Sequence, residues 1–165
     1  MGNRDLRFFN PFAESGVTVN RLPHWQQEGA VYFLTFRLAD AIPGHLLDQW
    51  TTEHEAWIAN YLQPWSVEVE QEYHHLFSGA MERWLDAGHG LCALRQSECR
   101  AHVENALRYF DGERCAQIAW VIMPNHVHVL FVLNDGLTPE DIVQSWKRHS
   151  AVRINRVLGR SGTFG

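Results

Sequence analysis

Two strand-like runs, Cys115 to Met123 and His126 to Leu133, are separated only by Pro124 and Asn125, and this arrangement constrains the fold more than any other feature. Both runs are rich in apolar and β-branched residues and have the length of an ordinary strand. A connection this short allows only a tight antiparallel turn. The sequence therefore predicts a β-hairpin at residues 115–133.

The other elements follow from the spacing of apolar residues. The run from Val31 to Phe36 predicts a first strand, which ends before Pro43 and Gly44. Apolar residues at three- and four-residue spacing predict two helices between residues 44 and 88 and a third that begins at Ser97, with Ser97 as its N-cap. Thr138 caps a last helix, which has Pro139 at its first position and ends at Gly159.

This order predicts the α+β class and a single domain over residues 1–165. Without the two-helix insertion at 44–88 after the first strand, it is the βαββα portion of a ferredoxin-like sandwich. Only residues 160–165 follow Gly159, so we expect the final strand to be incomplete and the C-terminal part of the domain to be missing. Residues 1–29 contain Asn10-Pro11, Gly16 and Pro23 and are interpreted as an irregular N-terminal arm.

Composition excludes two broad classes of protein. No apolar run approaches the ~20 residues of a membrane helix, and no signal peptide follows Met1. Three cysteines form an odd count in a chain rich in core residues, which favours reduced buried thiols over a disulfide framework. We therefore expect a cytoplasmic protein with no membrane partner.

The charge is distributed unevenly along the chain. The net charge is −5, yet the segment 142–165 contains five basic residues and no acidic one. The last helix thus carries a basic stripe, which is typical either of a solvated face or of a surface that binds phosphates. Under the second interpretation, the candidate nucleic-acid contacts are Lys147, Arg148, Arg153 and Arg156.

His126 and His128 are candidate metal ligands. Residues two apart on a strand point to the same face, so their imidazoles lie about 7 Å apart at the backbone and can converge on one divalent cation. The alternative is a packed or solvent-facing pair, but two polar side chains in an otherwise apolar strand favour a site. Asn125 is interpreted mainly as a turn residue, with orientation of a ligand as the alternative.

A second set of residues has spacing similar to that of zinc ligands. His89 and Cys92 form one pair, and Cys99 and His102 form another. Cys99 also belongs to the apolar stripe of the third predicted helix, so packing in the core is the preferred interpretation.

Five segments together resemble the REP-associated tyrosine transposases, a branch of the IS200-like, single-tyrosine HUH transposase family. The most specific is Trp120–Leu130, which resembles the HUH signature of this family. The others are Tyr32–Leu38, Trp84–Gly90, Phe110–Gly112 and Ser145–Gly162.

This resemblance implies a ferredoxin-like HUH domain that acts in DNA transposition and recombination. Members bind hairpin-forming single-stranded DNA, often as a homodimer, and a location at the nucleoid follows. In the family, Mg²⁺ or Mn²⁺ held by the two histidines polarises a phosphate. A tyrosine hydroxyl then attacks the phosphodiester, which gives a 5′-phosphotyrosine and a free 3′-hydroxyl.

The chain departs from the family at the nucleophile, because the family's tyrosine lies on a helix beyond the last residue of this sequence. The tyrosines present are interpreted as packing residues; they are Tyr32, Tyr61, Tyr73 and Tyr109. We therefore expect a chain that is inactive by itself. Two alternatives remain open, a non-catalytic nucleic-acid-binding relic or fragment and a metal-dependent hydrolase that uses water.

Overall fold

A computed structural model describes residues 7–8, 16–19, 23–26, 29–134 and 136–161 of the chain. The strands are β1 (Gly16–Val19), β2 (Pro23–Gln26), β3 (Val31–Arg37), β4 (Cys115–Ile122) and β5 (His126–Leu133). The α-helices are α1 (Gly44–Asn60), α2 (Val67–Tyr73), α3 (Gly79–Asp86), α4 (Ser97–Tyr109) and α5 (Pro139–Val157). The predicted α+β class is confirmed.

Strands β3, β5 and β4 form a three-stranded antiparallel sheet with β5 in the centre. The predicted hairpin is confirmed, since β4 and β5 pair from Ile122 and Val127 outward, with one register shift between Gln117 and Ala119. On the other side, β5 pairs with β3 and places Thr35 opposite His128. Side chains far apart in sequence therefore become neighbours across β5.

The core lies between the sheet and helices α4 and α5. Val127, Val129 and Phe131 alternate along β5 and are completely buried. Trp146 of α5 packs edge-on against Phe131, with ring centroids 5.3 Å apart. Because side chains alternate across a strand, His126 and His128 lie on the opposite face of the sheet from these helices.

The ends of the last two helices test the capping predictions. Thr138 accepts a hydrogen bond from the backbone of Asp141, whose side chain bonds back in a capping box, and Gly159 adopts a positive φ just after α5. These two predictions are confirmed. The prediction for α4 is wrong by one residue, since Gln96 is the N-cap and its carbonyl accepts the first helical bond, from the backbone N–H of Arg100, at 3.0 Å.

The two helical segments of the insertion enclose an aromatic cluster. The second segment runs from α2 to α3 through a π-helical turn, His74–Ser78. His54 of α1 is 6% exposed, stacks on Trp50 and lies with its Nε2 atom 3.2 Å from the hydroxyl oxygen of Tyr73. The insertion thus has a small core of its own.

Part of the N-terminal arm is more regular than its sequence indicates. Strands β1 and β2 pair antiparallel, with Val17 opposite Trp25, so the irregular interpretation is wrong for these strands. Consecutive β-branched residues favour an extended backbone, and Pro23 is tolerated at the first position of a strand. Apart from Arg7, Phe8 and Gly29, the rest of the arm lies outside the described residues.

Two further expectations concern cysteines and membranes. Cys92, Cys99 and Cys115 are free and buried, as predicted, and burial, followed by the charge of Asp111, raises the pKa of Cys115 to about 11. Within the described ranges, no helix combines the length and apolarity needed to cross a membrane.

Candidate metal centre and nucleic-acid interface

The two histidines of β5 converge through their outer nitrogens. The Nε2 atoms of His126 and His128 lie 3.0 Å apart, and the rings meet edge to face with centroids separated by 4.7 Å. His126 is 1% exposed, whereas His128 is half-buried. The predicted placement on one face of the strand thus brings both imidazoles to a single point at the edge of solvent.

Asn125 fixes the orientation of His126. Its buried side-chain amide donates to the carbonyl oxygens of Leu85 at 3.1 Å and His89 at 3.4 Å. The amide oxygen of Asn125 therefore accepts a hydrogen bond from Nδ1 of His126, at 2.9 Å. The proton of His126 is therefore on Nδ1, and its Nε2 presents a lone pair. The interpretation of Asn125 as mainly a turn residue is wrong, because its side chain accepts a hydrogen bond from His126 and so orients that histidine.

Thr35 of β3 contacts the inner nitrogen of His128. Its Oγ1 lies 2.7 Å from Nδ1 of that histidine, directly across the strand pair. A hydroxyl both donates and accepts, so this contact is satisfied in either tautomer of His128. With the proton on Nδ1, His128 offers a lone pair to a cation; with the proton on Nε2, it donates to His126.

The geometry of the pair fits a divalent metal. The separation of 3.0 Å between the Nε2 atoms matches two adjacent ligands around one ion with metal–nitrogen bonds of about 2.1 Å. Each Nδ1 has an oxygen partner, as is usual for histidines that bind metals. The described part of the chain holds no cluster of three or more His, Cys, Asp or Glu side chains placed to bind a metal, so two imidazoles are the ligands it offers here.

The electrostatic environment keeps His126 neutral. Burial is the main cause that lowers the pKa of His126, and proximity to His128 lowers it further, whereas Asp86 has a smaller opposing effect. Because only an unprotonated imidazole donates a lone pair, these effects favour a state ready to coordinate a cation near neutral pH.

The structure separates Lys147 from the three candidate arginines. Burial lowers the pKa of Lys147, and the nearby charge of Arg37 lowers it further. Arg37 is opposite His126 in the β3–β5 register and donates to the carbonyl oxygens of Leu38 and Ala39. Lys147 therefore lies towards the end of the sheet that carries His126 and forms a positively charged pair with Arg37.

The three arginines line an open groove beside α5. All three are exposed, and the ring of His149 stacks on Tyr109 at the end of α4, with centroids 5.3 Å apart. Since α5 lies on the core side of the sheet, this groove is on the opposite layer from the histidine pair. The residues that line it are Phe110, Ser145, Arg148, His149, Val152, Arg153 and Arg156.

The four tyrosines occupy other parts of the molecule. Tyr32 stacks on Phe131 on the core side of the sheet. Tyr61 and Tyr73 pack against Trp57 within the insertion, and Tyr109 lies beside α5. The positions of Tyr32, Tyr61 and Tyr73 agree with the packing roles predicted for them, whereas Tyr109 is 64% exposed.

The two cysteines of the set with zinc-like spacing, Cys92 and Cys99, are buried within the fold. Cys99 is completely buried in the core cluster. The thiol of Cys92 donates to the carbonyl oxygens of Gly88 and His89. The preferred interpretation of these cysteines as core residues agrees with this environment.

Three residues of β3 were missed by the sequence reasoning. Phe33, Thr35 and Arg37 share the face of the sheet that carries the histidines. Alternation along β3 groups these residues on one face, but only the register with β5 shows that this is the histidine face.

One family model matches the chain. Residues 93–161 match the family described as transposase IS200 like, a segment that contains α4, β4, β5 and α5. The match includes the histidine pair, Asn125 and the four candidate phosphate contacts, whereas β3 lies outside it. The chain is therefore similar to this family over 69 of its 165 residues, which is less than half of its length. No curated protein and no solved structure matches the chain.

Proposed function

We propose that this chain is an IS200-like DNA-processing protein that binds hairpin-forming single-stranded DNA beside a divalent metal, Mg²⁺ or Mn²⁺. One observation carries the proposal: the Nε2 atoms of His126 and His128 converge to 3.0 Å while oxygen partners hold both Nδ1 atoms. This pair lies within the segment that matches the transposase family.

The roles in the site follow from its hydrogen bonds. His126 and His128 would hold the metal, which when bound supplies a Lewis acid for a phosphate oxygen. Asn125 and Thr35 orient the two imidazoles. Arg37, opposite His126 in the β3–β5 register, would add positive charge beside a phosphate at the histidines, and Lys147 adds charge near Arg37 from the helical layer.

The finer assignment to the REP-associated branch belongs to the same proposal. A ferredoxin-like βαββα core is also part of the proposal, and the strand order β3-β5-β4 with helices on one face supports it. The segment Trp84–Gly90, which resembles that branch, contacts the turn before the histidines through the carbonyls of Leu85 and His89. In this proposal, Trp84–Gly90 holds the side chain of Asn125 in place, and Asn125 in turn orients His126.

The reaction expected of this chain is limited by its tyrosines. Transesterification by the family mechanism requires a hydroxyl beside the phosphate, and the chain's tyrosines pack in the core, in the insertion and beside α5. We therefore propose that the chain binds DNA and metal without forming a tyrosine adduct by itself. Association with the nucleoid and a homodimeric state complete this proposal.

Incubation of a labelled hairpin-containing single strand with the protein and Mn²⁺ tests the proposal. Retention of the strand without cleavage is expected; a covalent protein–DNA adduct would show an active transposase, and a free cleaved product would show a hydrolase that uses water. His126→Ala should abolish Mn²⁺ binding but keep most phosphate-driven retention of the strand. His75→Ala, which removes an exposed histidine of the π-helical turn, is the matched control. Failure of the wild-type protein to retain the strand would refute the proposal.

A further inference from the structure

Phe33 is an exposed aromatic side chain in direct contact with the histidine pair. It lies two residues before Thr35 on the same face of β3, and its ring is stacked on His128 with centroids 5.4 Å apart and planes 16° apart. Phe33 is nevertheless 65% exposed. Its ring therefore covers His128 while leaving much of its own surface open to a ligand.

An exposed apolar side chain flanks His128 on each neighbouring strand, Phe33 on β3 and Val121 on β4. Val121 of β4 is opposite His128 in the register and is 47% exposed. Exposed apolar side chains contribute to the free energy of binding when a ligand covers them with apolar surface of its own. A phosphate bound at the histidines contributes charge but no such surface, so the complete ligand should carry a flat apolar group close to its phosphate. A nucleotide has this combination in its base.

We propose that Phe33 is a stacking platform for one unpaired base of the strand whose phosphate binds at His126 and His128. This inference rests on the function proposed above and specifies how that site selects its substrate. The base, Phe33 and His128 form one continuous stack. A base within a duplex is already covered by its neighbours, so the platform selects single strands and tolerates different bases because each has a π-face.

A coupling experiment tests this contact. Affinities are measured by fluorescence anisotropy for a labelled hairpin-containing single strand and for versions of it with one abasic position each, in the presence of Mn²⁺. Each version is titrated with wild type and with Phe33→Leu, which keeps an apolar side chain but removes the ring. Phe33→Trp keeps an aromatic platform, and Tyr109→Leu removes another exposed aromatic from the helical layer as a matched control.

The expected result is a coupled loss at one position. Phe33→Leu should weaken binding of the intact strand by about fivefold or more, as expected for loss of base–aromatic stacking, and should cause no further loss when that one base is absent. Phe33→Trp should bind like wild type, and Tyr109→Leu should show no coupling at the same position. Melting temperature and Mn²⁺ affinity should stay unchanged in Phe33→Leu.

Four results would overturn the inference, and they differ in whether the proposed function survives. Equal binding by Phe33→Leu and wild type, or a loss that no abasic position removes, refutes the platform but leaves the proposed function intact. A changed oligomeric state of Phe33→Leu without coupling assigns this face to a second copy of the chain and also refutes the platform. If the wild-type protein retains no single strand, the proposed function fails together with the inference.

Discussion

The side chains of Asn125 and His126 are joined by a hydrogen bond of 2.9 Å, although these residues are consecutive in the chain. Asn125 belongs to the turn and His126 to the strand, so the turn itself orients the candidate ligand. The same amide reaches back to α3 through the carbonyl of Leu85. The end of the helical insertion is thereby connected to the candidate metal centre.

Asn125→Leu should weaken both metal binding and the fold. It leaves the buried Nδ1 of His126 without a partner, which costs about 1–3 kcal/mol of stability, whereas the carbonyl of Leu85 keeps its hydrogen bond from the backbone N–H of Gly88. Loss of the group that orients a ligand typically lowers metal affinity by about 10- to 100-fold. Calorimetric Mn²⁺ titration and urea unfolding measure the two effects. Asn134→Leu, which changes an exposed asparagine after β5, should keep wild-type Mn²⁺ affinity.

Thr35→Val should weaken metal binding with little change in stability. The substitution keeps the shape of the side chain but removes the oxygen that contacts Nδ1 of His128. Thr35 is exposed, so the melting temperature should change little, whereas Mn²⁺ affinity should fall by about tenfold. Thr35→Ser restores the hydroxyl and should restore affinity. A Thr35→Val protein that binds Mn²⁺ as well as wild type would exclude Thr35 as an orienting residue.

Replacement of all three groove arginines by glutamine should reduce the salt dependence of DNA binding. Each phosphate contact to a single strand contributes about 0.7 to the slope of log affinity against log salt, so loss of Arg148, Arg153 and Arg156 should reduce the slope by about 2 if each contacts one phosphate. Anisotropy titrations at several salt concentrations measure this slope. Arg108→Gln, in which a partner of Glu104 is removed, is the control. An unchanged slope would show that the three arginines face solvent in the complex and contact no phosphate.

His54 should make the fold sensitive to mild acid. Burial lowers the pKa of His54, and the charge of Glu55 opposes this effect only in part. The folded state therefore prefers the neutral imidazole, so His54 should reduce the free energy of unfolding as pH falls below the ordinary value of about 6.5 and should have no such effect above it. Urea unfolding of wild type and His54→Gln between pH 5 and about 8 isolates its contribution.

His54→Gln should accordingly lose less stability than wild type across the acidic part of that range. His75→Gln, which removes an exposed imidazole from the neighbouring π-helical turn, is the control. Parallel curves for wild type and His54→Gln would show that His54 is charged to the same extent in the folded and unfolded states.

Local chemistry made much of the fold predictable. Pro124 and Asn125 fix the turn of the hairpin, and Thr138 with Asp141 fixes the start of α5. The π-helical turn at His74–Ser78 was missed because apolar spacing alone does not distinguish it from a continuous α-helix. The residue type of Ser97 predicts a cap at that position, yet the carbonyl of Gln96 accepts the first hydrogen bond of the helix.

The candidate site was predictable only in part. His126 and His128 follow from the period of a strand. The contacts of Thr35 and Phe33 with His128 depend on the pairing of β3 with β5. Residue types do not predict this pairing between segments 93 residues apart. Lys147 and Arg148 are both candidate phosphate contacts, but successive residues lie about 100° apart around a helix, and the structure directs Lys147 to a different side from Arg148.

The separation of 93 residues between Thr35 and His128 has a consequence for the order of folding. The β4–β5 hairpin is local and can form early, whereas docking of β3 must close a long loop that contains the whole insertion. The two imidazoles can therefore approach each other before the hydroxyl of Thr35 reaches them. During biosynthesis, the candidate metal centre would therefore stay incomplete until β3, the first strand of the three-stranded sheet, pairs with β5.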